Sequence, residues 1–132
     1  MGNNQSSSSQ SSITVPVWKG TWESSNVPFV HGTFQLNYYD KLHTLSNGTC
    51  EIDAIVSYAT FSLYRPGTTV NMKFDLDITT RDIYYDVSMK SKNMTQTISY
   101  NATLRDLNTD TITGEYKSSS PYDVGTFELH FE

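Results

Sequence analysis

Cysteines, long apolar segments and clustered basic residues are all scarce in this sequence. A single cysteine, Cys50, excludes an intramolecular disulfide. No apolar segment follows Met1 in the manner of a secretory signal peptide, and no apolar run is long enough to span a bilayer as a helix. These features predict a cytoplasmic protein.

Positive charge is also in short supply. Nine Lys and Arg residues stand against fourteen Asp and Glu residues, which gives a formal net charge of −5. The basic residues occur singly from Lys19 to Lys117 rather than in a stripe. Because phosphate binding needs clustered Lys and Arg, a nucleic-acid partner is not expected.

The N-terminal segment differs in composition from the rest of the chain. Residues 1–12 are almost all Ser, Asn and Gln, which predicts a disordered Ser-rich arm over 1–13 and one folded domain over 14–132. Gly2 and Ser6 fit the N-myristoylation motif. One acyl chain binds membranes only weakly and reversibly, so Gly2 predicts weak peripheral membrane association. The alternative is a plain Ser-rich linker.

Apolar residues alternate with polar ones along most of the domain. The clearest segment places these residues on one face: Val70, Met72, Phe74, Leu76 and Ile78. In the next segment, the predicted inward residues are Ile83, Tyr85, Val87 and Met89. Alternation with a period of two is typical of strands with one buried face. We predict eight strands: 15–24, 31–39, 50–64, 68–79, 82–91, 94–105, 110–118 and 125–132.

The alternation changes phase inside the third predicted strand. Ile52, Ala54, Val56 and Tyr58 share one face, and the apolar positions then shift by one residue at Ala59. A β-bulge produces such a shift and bends a sheet toward closure. The phase change therefore predicts a bulge.

The two ends of the domain repeat each other. Residues 18–25, WKGTWESS, match residues 112–119, ITGEYKSS. Residues 32–38, GTFQLNY, match residues 125–131, GTFELHF. Two similar hairpins at opposite chain ends predict a pseudo-symmetric sheet whose first and last strands meet. We therefore expect an all-β fold, a single antiparallel up-and-down barrel, with a two-sheet sandwich as the alternative.

Short motifs in these end hairpins resemble those of known barrels. Gly20-Thr-Trp22 resembles the Gly-x-Trp motif of lipocalins, and Ile112-Thr-Gly-Glu-Tyr116 is similar to the Thr-Gly-x-Tyr strands of avidin-type proteins. Both families belong to the calycin group. The resemblance implies a barrel with a cavity for a small ligand. The chain lacks the C-terminal helix and the disulfide of lipocalins.

The inward aromatic side chains are the candidate ligand-binding residues. They are Trp22, Tyr58, Phe74, Tyr85, Tyr100 and Tyr116. Aromatic rings with a few hydroxyl groups suit a small apolar ligand, which predicts a non-enzymatic binding module. The alternative is a barrel filled by its own side chains, as small eight-stranded barrels often are. Such a domain would be structural or would bind a protein partner, for example in a virion or at a membrane.

Catalytic and metal-binding patterns are weak. His43 lies seven residues before Cys50, which is not by itself a nucleophile–base pair. Asp75, Asp77 and Asp82 could supply oxygen ligands, but the first two alternate with apolar residues as the outer face of a strand does. We therefore predict neither an enzyme nor a metal or other cofactor.

Overall fold

Eight antiparallel strands make up the structure, a computed structural model that describes residues 16–45, 48–57, 69–91, 97–119 and 122–132. The strands are β1 (Trp18–Ser24), β2 (His31–Leu36), β3 (Thr49–Ser57), β4 (Thr69–Thr80), β5 (Tyr85–Ser91), β6 (Ile98–Leu104), β7 (Thr111–Ser119) and β8 (Tyr122–Phe131). A short 3-10 turn occupies Leu42–Thr44. Within the described residues, no helix is long and apolar enough to cross a membrane.

The strands form a closed barrel in chain order. Each strand pairs with the next, and β8 returns to pair with β1. The closing ladder includes the register pairs Trp18↔Phe131 and Ser24↔Gly125. The prediction of an all-β, up-and-down barrel is confirmed, and the two-sheet sandwich is wrong.

The repeat of the two end hairpins is also a repeat of register. In β1–β2, Trp22 pairs with Gly32, and in β7–β8, Tyr116 pairs with Gly125. Two further equivalent pairs of inward positions are Gly20↔Phe34 with Gly114↔Phe127, and Trp18↔Leu36 with Ile112↔Leu129. Because these two hairpins flank the β1–β8 seam, the same packing motif occurs on both sides of the closure.

The prediction that Ile83 points inward is wrong. Ile83 is 73% exposed, because β5 begins only at Tyr85 and Ile83 lies in the β4–β5 turn. The Arg81 amide donates a 2.8 Å hydrogen bond to the Tyr84 carbonyl, which closes this turn. The bulge predicted after Tyr58 lies outside the described residues.

Other strand limits shift by a few residues. β2 ends at Leu36 rather than at residue 39, and β8 begins at Tyr122 rather than at residue 125. The early start of β8 extends its hairpin with β7 to the pair Ser119↔Tyr122.

Connecting segments cover the end of the barrel at which β1 begins. Leu42, in the β2–β3 connection, and Leu107, in the β6–β7 connection, are both buried in the core cluster. Lys41 forms an ion pair with Asp110, which joins the same two connections. The Trp18 indole adds a 3.1 Å hydrogen bond to the Asp40 carbonyl. This end is thus closed by side chains of the connections.

Candidate functional site

Four of the six predicted ligand-binding residues come together inside the barrel. Trp22, Phe74, Tyr100 and Tyr116 are buried members of one core cluster. Tyr85 is half-buried and packs against that cluster. The sixth, Tyr58, lies outside the described residues.

Tyr100 lies at the centre of a group of aromatic rings. Its ring stacks on Phe34, with a centroid separation of 4.4 Å. It also meets Phe127 at 5.2 Å, Phe74 at 5.6 Å and Tyr116 at 5.7 Å. These separations are those of aromatic rings in direct contact. Phe34 and Phe127 were not predicted as site residues, although the repeat aligns them.

Two further rings of the cluster lie against glycines of the neighbouring strands. A Cβ atom on Gly32 would lie 2.7 Å from the Trp22 Nε1 atom, and one on Gly125 would lie 2.6 Å from the Tyr116 ring. The Trp22 indole donates a 3.0 Å hydrogen bond to the Ser57 carbonyl. Trp22 and Tyr116 then meet edge to face at 5.7 Å. The backbone carbonyl oxygen of Ser57 would lie closer still to a Cβ atom on Gly32, and that of Glu23 to one on Gly125, so both the strand backbone and the rings require glycine at these two positions.

A buried hydroxyl and a carboxylate join the two end hairpins. The Tyr116 hydroxyl donates to Asp123 Oδ2 at 2.8 Å, and the Ser24 hydroxyl donates to Asp123 Oδ1 at 2.6 Å. Ser24 Oγ in turn accepts hydrogen bonds from the amides of Asn26 and Val27. We call Ser24, Tyr116 and Asp123 the Asp123 clasp. It orders the β1–β2 turn against the start of β8.

The clasp explains the chemistry of Tyr116. Burial raises the pKa of the Tyr116 hydroxyl well above its ordinary value, and the hydrogen bond and negative charge of Asp123 raise it further. The phenol therefore remains a neutral donor to the carboxylate over the physiological range. Sequence reasoning placed Tyr116 inward but missed Asp123, since a hydrogen bond across 99 residues from Ser24 has no local signal.

Removing the Tyr116 hydroxyl should destabilise the barrel. In Tyr116→Phe, Asp123 loses a hydrogen bond to a buried donor, and we expect the free energy of unfolding to fall by about 1–3 kcal/mol. Urea unfolding followed by circular dichroism measures the change. Tyr122→Phe is the matched control, because Tyr122 is 60% exposed and should change stability by less than about 0.5 kcal/mol. Equal stability of both variants would contradict the clasp.

The Tyr116 hydroxyl should also make the stability of the barrel depend on pH in the alkaline range. The folded-state pKa of Tyr116 is raised above its ordinary value of 10.0, so above that pH the unfolded chain releases a proton that the folded barrel keeps. The free energy of unfolding should therefore fall as pH rises, with a Tyr116 contribution of up to about 1.4 kcal/mol per pH unit. Tyr116→Phe should show a shallower decline than wild type, whereas Tyr122→Phe should match wild type. Identical slopes in all three proteins would contradict the buried phenol.

The remaining candidate groups are Cys50, which packs against the core cluster, and His43, which lies on the 3-10 turn. Cys50 is half-buried in β3, and burial raises the pKa of its thiol, which makes the thiolate less available as a nucleophile. His43 is exposed on the 3-10 turn. Among the described residues, no three His, Cys, Asp or Glu side chains converge as metal ligands would.

The outer surface carries grooves lined by both polar and apolar side chains. One groove, of about 900 Å³, crosses strands β5 to β8, and we call it the β5–β8 groove. Its lining includes Asp86, Ser88, Asn101, Thr103, Thr113 and Glu115. A second groove of about 520 Å³ adjoins it over β7, β8 and β1 and shares Thr113, Glu115 and Thr126. No sequence motif marked either groove, because outward Thr, Asn and Glu are common on any exposed strand.

Comparisons with known proteins add no relative to this description. No protein-family model matches the chain, and neither the curated proteins nor the solved structures contain a match. Gly2, the predicted acylation site, lies outside the described residues, so weak membrane association stays a prediction.

Proposed function

We propose that the chain is a non-enzymatic structural or protein-interaction domain whose barrel is filled by its own side chains. The contact between the Tyr100 and Phe34 rings, at 4.4 Å, carries this proposal. Both residues point inward from different strands and are almost completely buried. A ligand at this level of the barrel would have to displace them.

The closed end of the barrel supports the same proposal. Leu42 and Leu107 are buried in the core cluster at this end, so a ligand has no entrance there. The described grooves that remain for partners lie outside, over β5 to β8 and over β1. A filled interior leaves recognition to the outer surface and the connections.

The calycin resemblance contributes only the barrel architecture to this proposal. A closed eight-stranded antiparallel barrel is consistent with that group, and an up-and-down chain order is shared with lipocalins. Proteins of those families typically bind a small apolar ligand. Such binding is the alternative function that the test below distinguishes. Fold alone does not decide function.

Native mass spectrometry of the protein purified from a eukaryotic host tests the proposal. The expected result is the bare polypeptide mass, with any covalent modification read separately from a denatured sample. A reproducible non-covalent adduct that disappears in Trp22→Ala, and persists in the exposed control Tyr122→Ala, would overturn the proposal in favour of a ligand-binding barrel. The denatured spectrum also shows whether Gly2 carries a myristoyl group.

A further inference from the structure

We infer that the β1–β2 turn docks on membranes, where it inserts the Phe29 side chain into a lipid surface of neutral headgroups. Four consecutive apolar residues form the end of this turn, and we call them the Phe29 tip: Val27, Pro28, Phe29 and Val30. The tip lies where β1 ends, opposite the end of the barrel that the connections close. The inference goes beyond the proposed function.

Phe29 is the most exposed large apolar side chain among the residues that the structure describes. It is 85% exposed, and Val27 beside it is 43% exposed. Tyr122, at 60%, lies at the start of β8, which the turn contacts through a 2.8 Å hydrogen bond from the Ser25 amide to the Val124 carbonyl. Exposed apolar side chains gathered at one end of a domain mark an interaction surface.

The backbone of Phe29 shows that folding does not account for its side chain. Its φ is 66°, and no other non-glycine residue in the described part of the chain has a positive φ. A bulky residue is a rare outlier in this left-handed region, which glycine adopts without strain. Strained residues of this kind concentrate at functional sites. Because the ring is almost fully exposed, the strain serves a contact outside the fold.

Most main-chain amides of the turn already donate within the protein. The Ser24 amide donates to the Val30 carbonyl at 2.8 Å, and the Val30 amide donates to the Val27 carbonyl at 3.4 Å. The Ser24 hydroxyl oxygen accepts from the Asn26 and Val27 amides, at 3.1 and 2.9 Å. Pro28 has no amide hydrogen.

These hydrogen bonds favour a lipid over a protein partner. Lipid tails offer no hydrogen bonds, so a turn enters them only when its own main-chain groups are already paired. A protein pocket could supply partners to an open turn and does not require this arrangement.

The charge of the turn specifies the kind of lipid. Residues 24–30 contain no charged side chain, so insertion removes none from water. The flanking charges are mixed, because Glu23 and Asp123 are acidic and Lys117 pairs in register with Val124. Anionic lipids attract clusters of Lys and Arg, which neither the turn nor these flanking positions provide. Zwitterionic phosphatidylcholine is therefore the expected surface.

The Phe29 tip complements the acyl group predicted on Gly2. One acyl chain holds a protein on a bilayer only weakly, and stable anchoring takes a second contact. The few apolar side chains of the tip likewise bind weakly when they act alone. Together the two contacts would hold the barrel on the membrane.

Vesicle binding by the full chain tests the inference. The protein carries a myristoyl group on Gly2, attached chemically if the cell does not add it, and is titrated with phosphatidylcholine vesicles in a sedimentation assay. Phe29→Gly removes the strain and keeps the main chain of the turn, so its stability in urea should at least equal that of wild type. It should weaken vesicle binding by about tenfold or more, because an inserted Phe side chain is lost.

Ile83→Gly is the matched control for this loss. Ile83 is 73% exposed in the β4–β5 turn, at the opposite end of the barrel, and the variant should bind vesicles as wild type does. Addition of phosphatidylserine to the vesicles should not strengthen the binding of wild type.

A fluorescence measurement locates the contact. Vesicles of brominated phosphatidylcholine should quench the added indole of Phe29→Trp but not that of Ile83→Trp. The native indoles of Trp18 and Trp22 are buried and give the same background in both variants.

Three results would overturn the inference. They are equal vesicle binding by Phe29→Gly and wild type, equal quenching in the two Trp variants, and stronger binding to the anionic vesicles. Either of the first two would assign the Phe29 tip to a protein pocket instead. The native mass spectrum does not depend on these outcomes, so the filled-barrel proposal and the membrane inference can fail separately.

Discussion

Gly20→Val should unfold the barrel, or lower its free energy of unfolding by more than about 4 kcal/mol. Gly20 faces Leu129 across the β1–β8 seam, where a Cβ atom would overlap the Glu128 carbonyl oxygen and lie 2.8 Å from the Leu129 Cα atom. These are backbone atoms of β8, so relief requires separation of the two strands that close the barrel. The loss is comparable to the whole stability of a small domain. Circular dichroism and urea unfolding measure it.

The neighbouring position provides the control for this prediction. Thr21 is exposed on the outer face of the same strand, and Thr21→Val keeps the β-branched shape that suits strands. We expect its stability to lie within about 0.5 kcal/mol of wild type. If Gly20→Val were as stable as Thr21→Val, β1 and β8 would not be in contact and the closure would be wrong.

Phe34→Ala should cost about 3–5 kcal/mol and create a binding site that wild type lacks. Phe34 is 1% exposed and contacts both Tyr100 and Phe74, at 4.4 and 5.7 Å between ring centroids. Its truncation leaves an apolar void, and voids of this kind stay dry and take up benzene. Urea unfolding measures the loss, and a benzene-dependent rise in Tm of the variant alone measures the new site.

An exposed aromatic residue controls for the loss of a ring as such. Tyr122→Ala removes a ring that is 60% exposed, so stability should change little and no benzene site should appear. A benzene-dependent rise in the Tm of wild type would show that the interior already holds space. In that case the rings around Tyr100 would line a cavity rather than fill it.

Much of the architecture could be predicted because it follows from local patterns. The alternation through Met72, Phe74 and Leu76 placed β4 within one residue of its limits and put the right side chains inside. The repeat predicted the closure, since two matching hairpins present equivalent inward residues, Trp22 and Tyr116, on either side of one seam.

The differences arise where local patterns stop carrying information. Ile83 continues the alternation of β5 but lies in the preceding turn, because apolar periodicity does not reveal where pairing ends. Leu42 and Leu107 are isolated apolar residues in connections, so no period marks them as members of the core. The Asp123 clasp depends on register between distant segments. Local sequence patterns therefore do not reveal features of this kind.

The central claim is a closed barrel filled by its own side chains, and methyl NMR under xenon pressure tests it most directly. Xenon enters apolar voids that water leaves empty. The account predicts no saturable shift for inward methyl groups near the ring cluster, such as those of Leu36, Val56 and Leu76, and a clear one in Phe34→Ala. Saturable shifts of the same methyl groups in wild type would reveal an interior cavity and contradict the account.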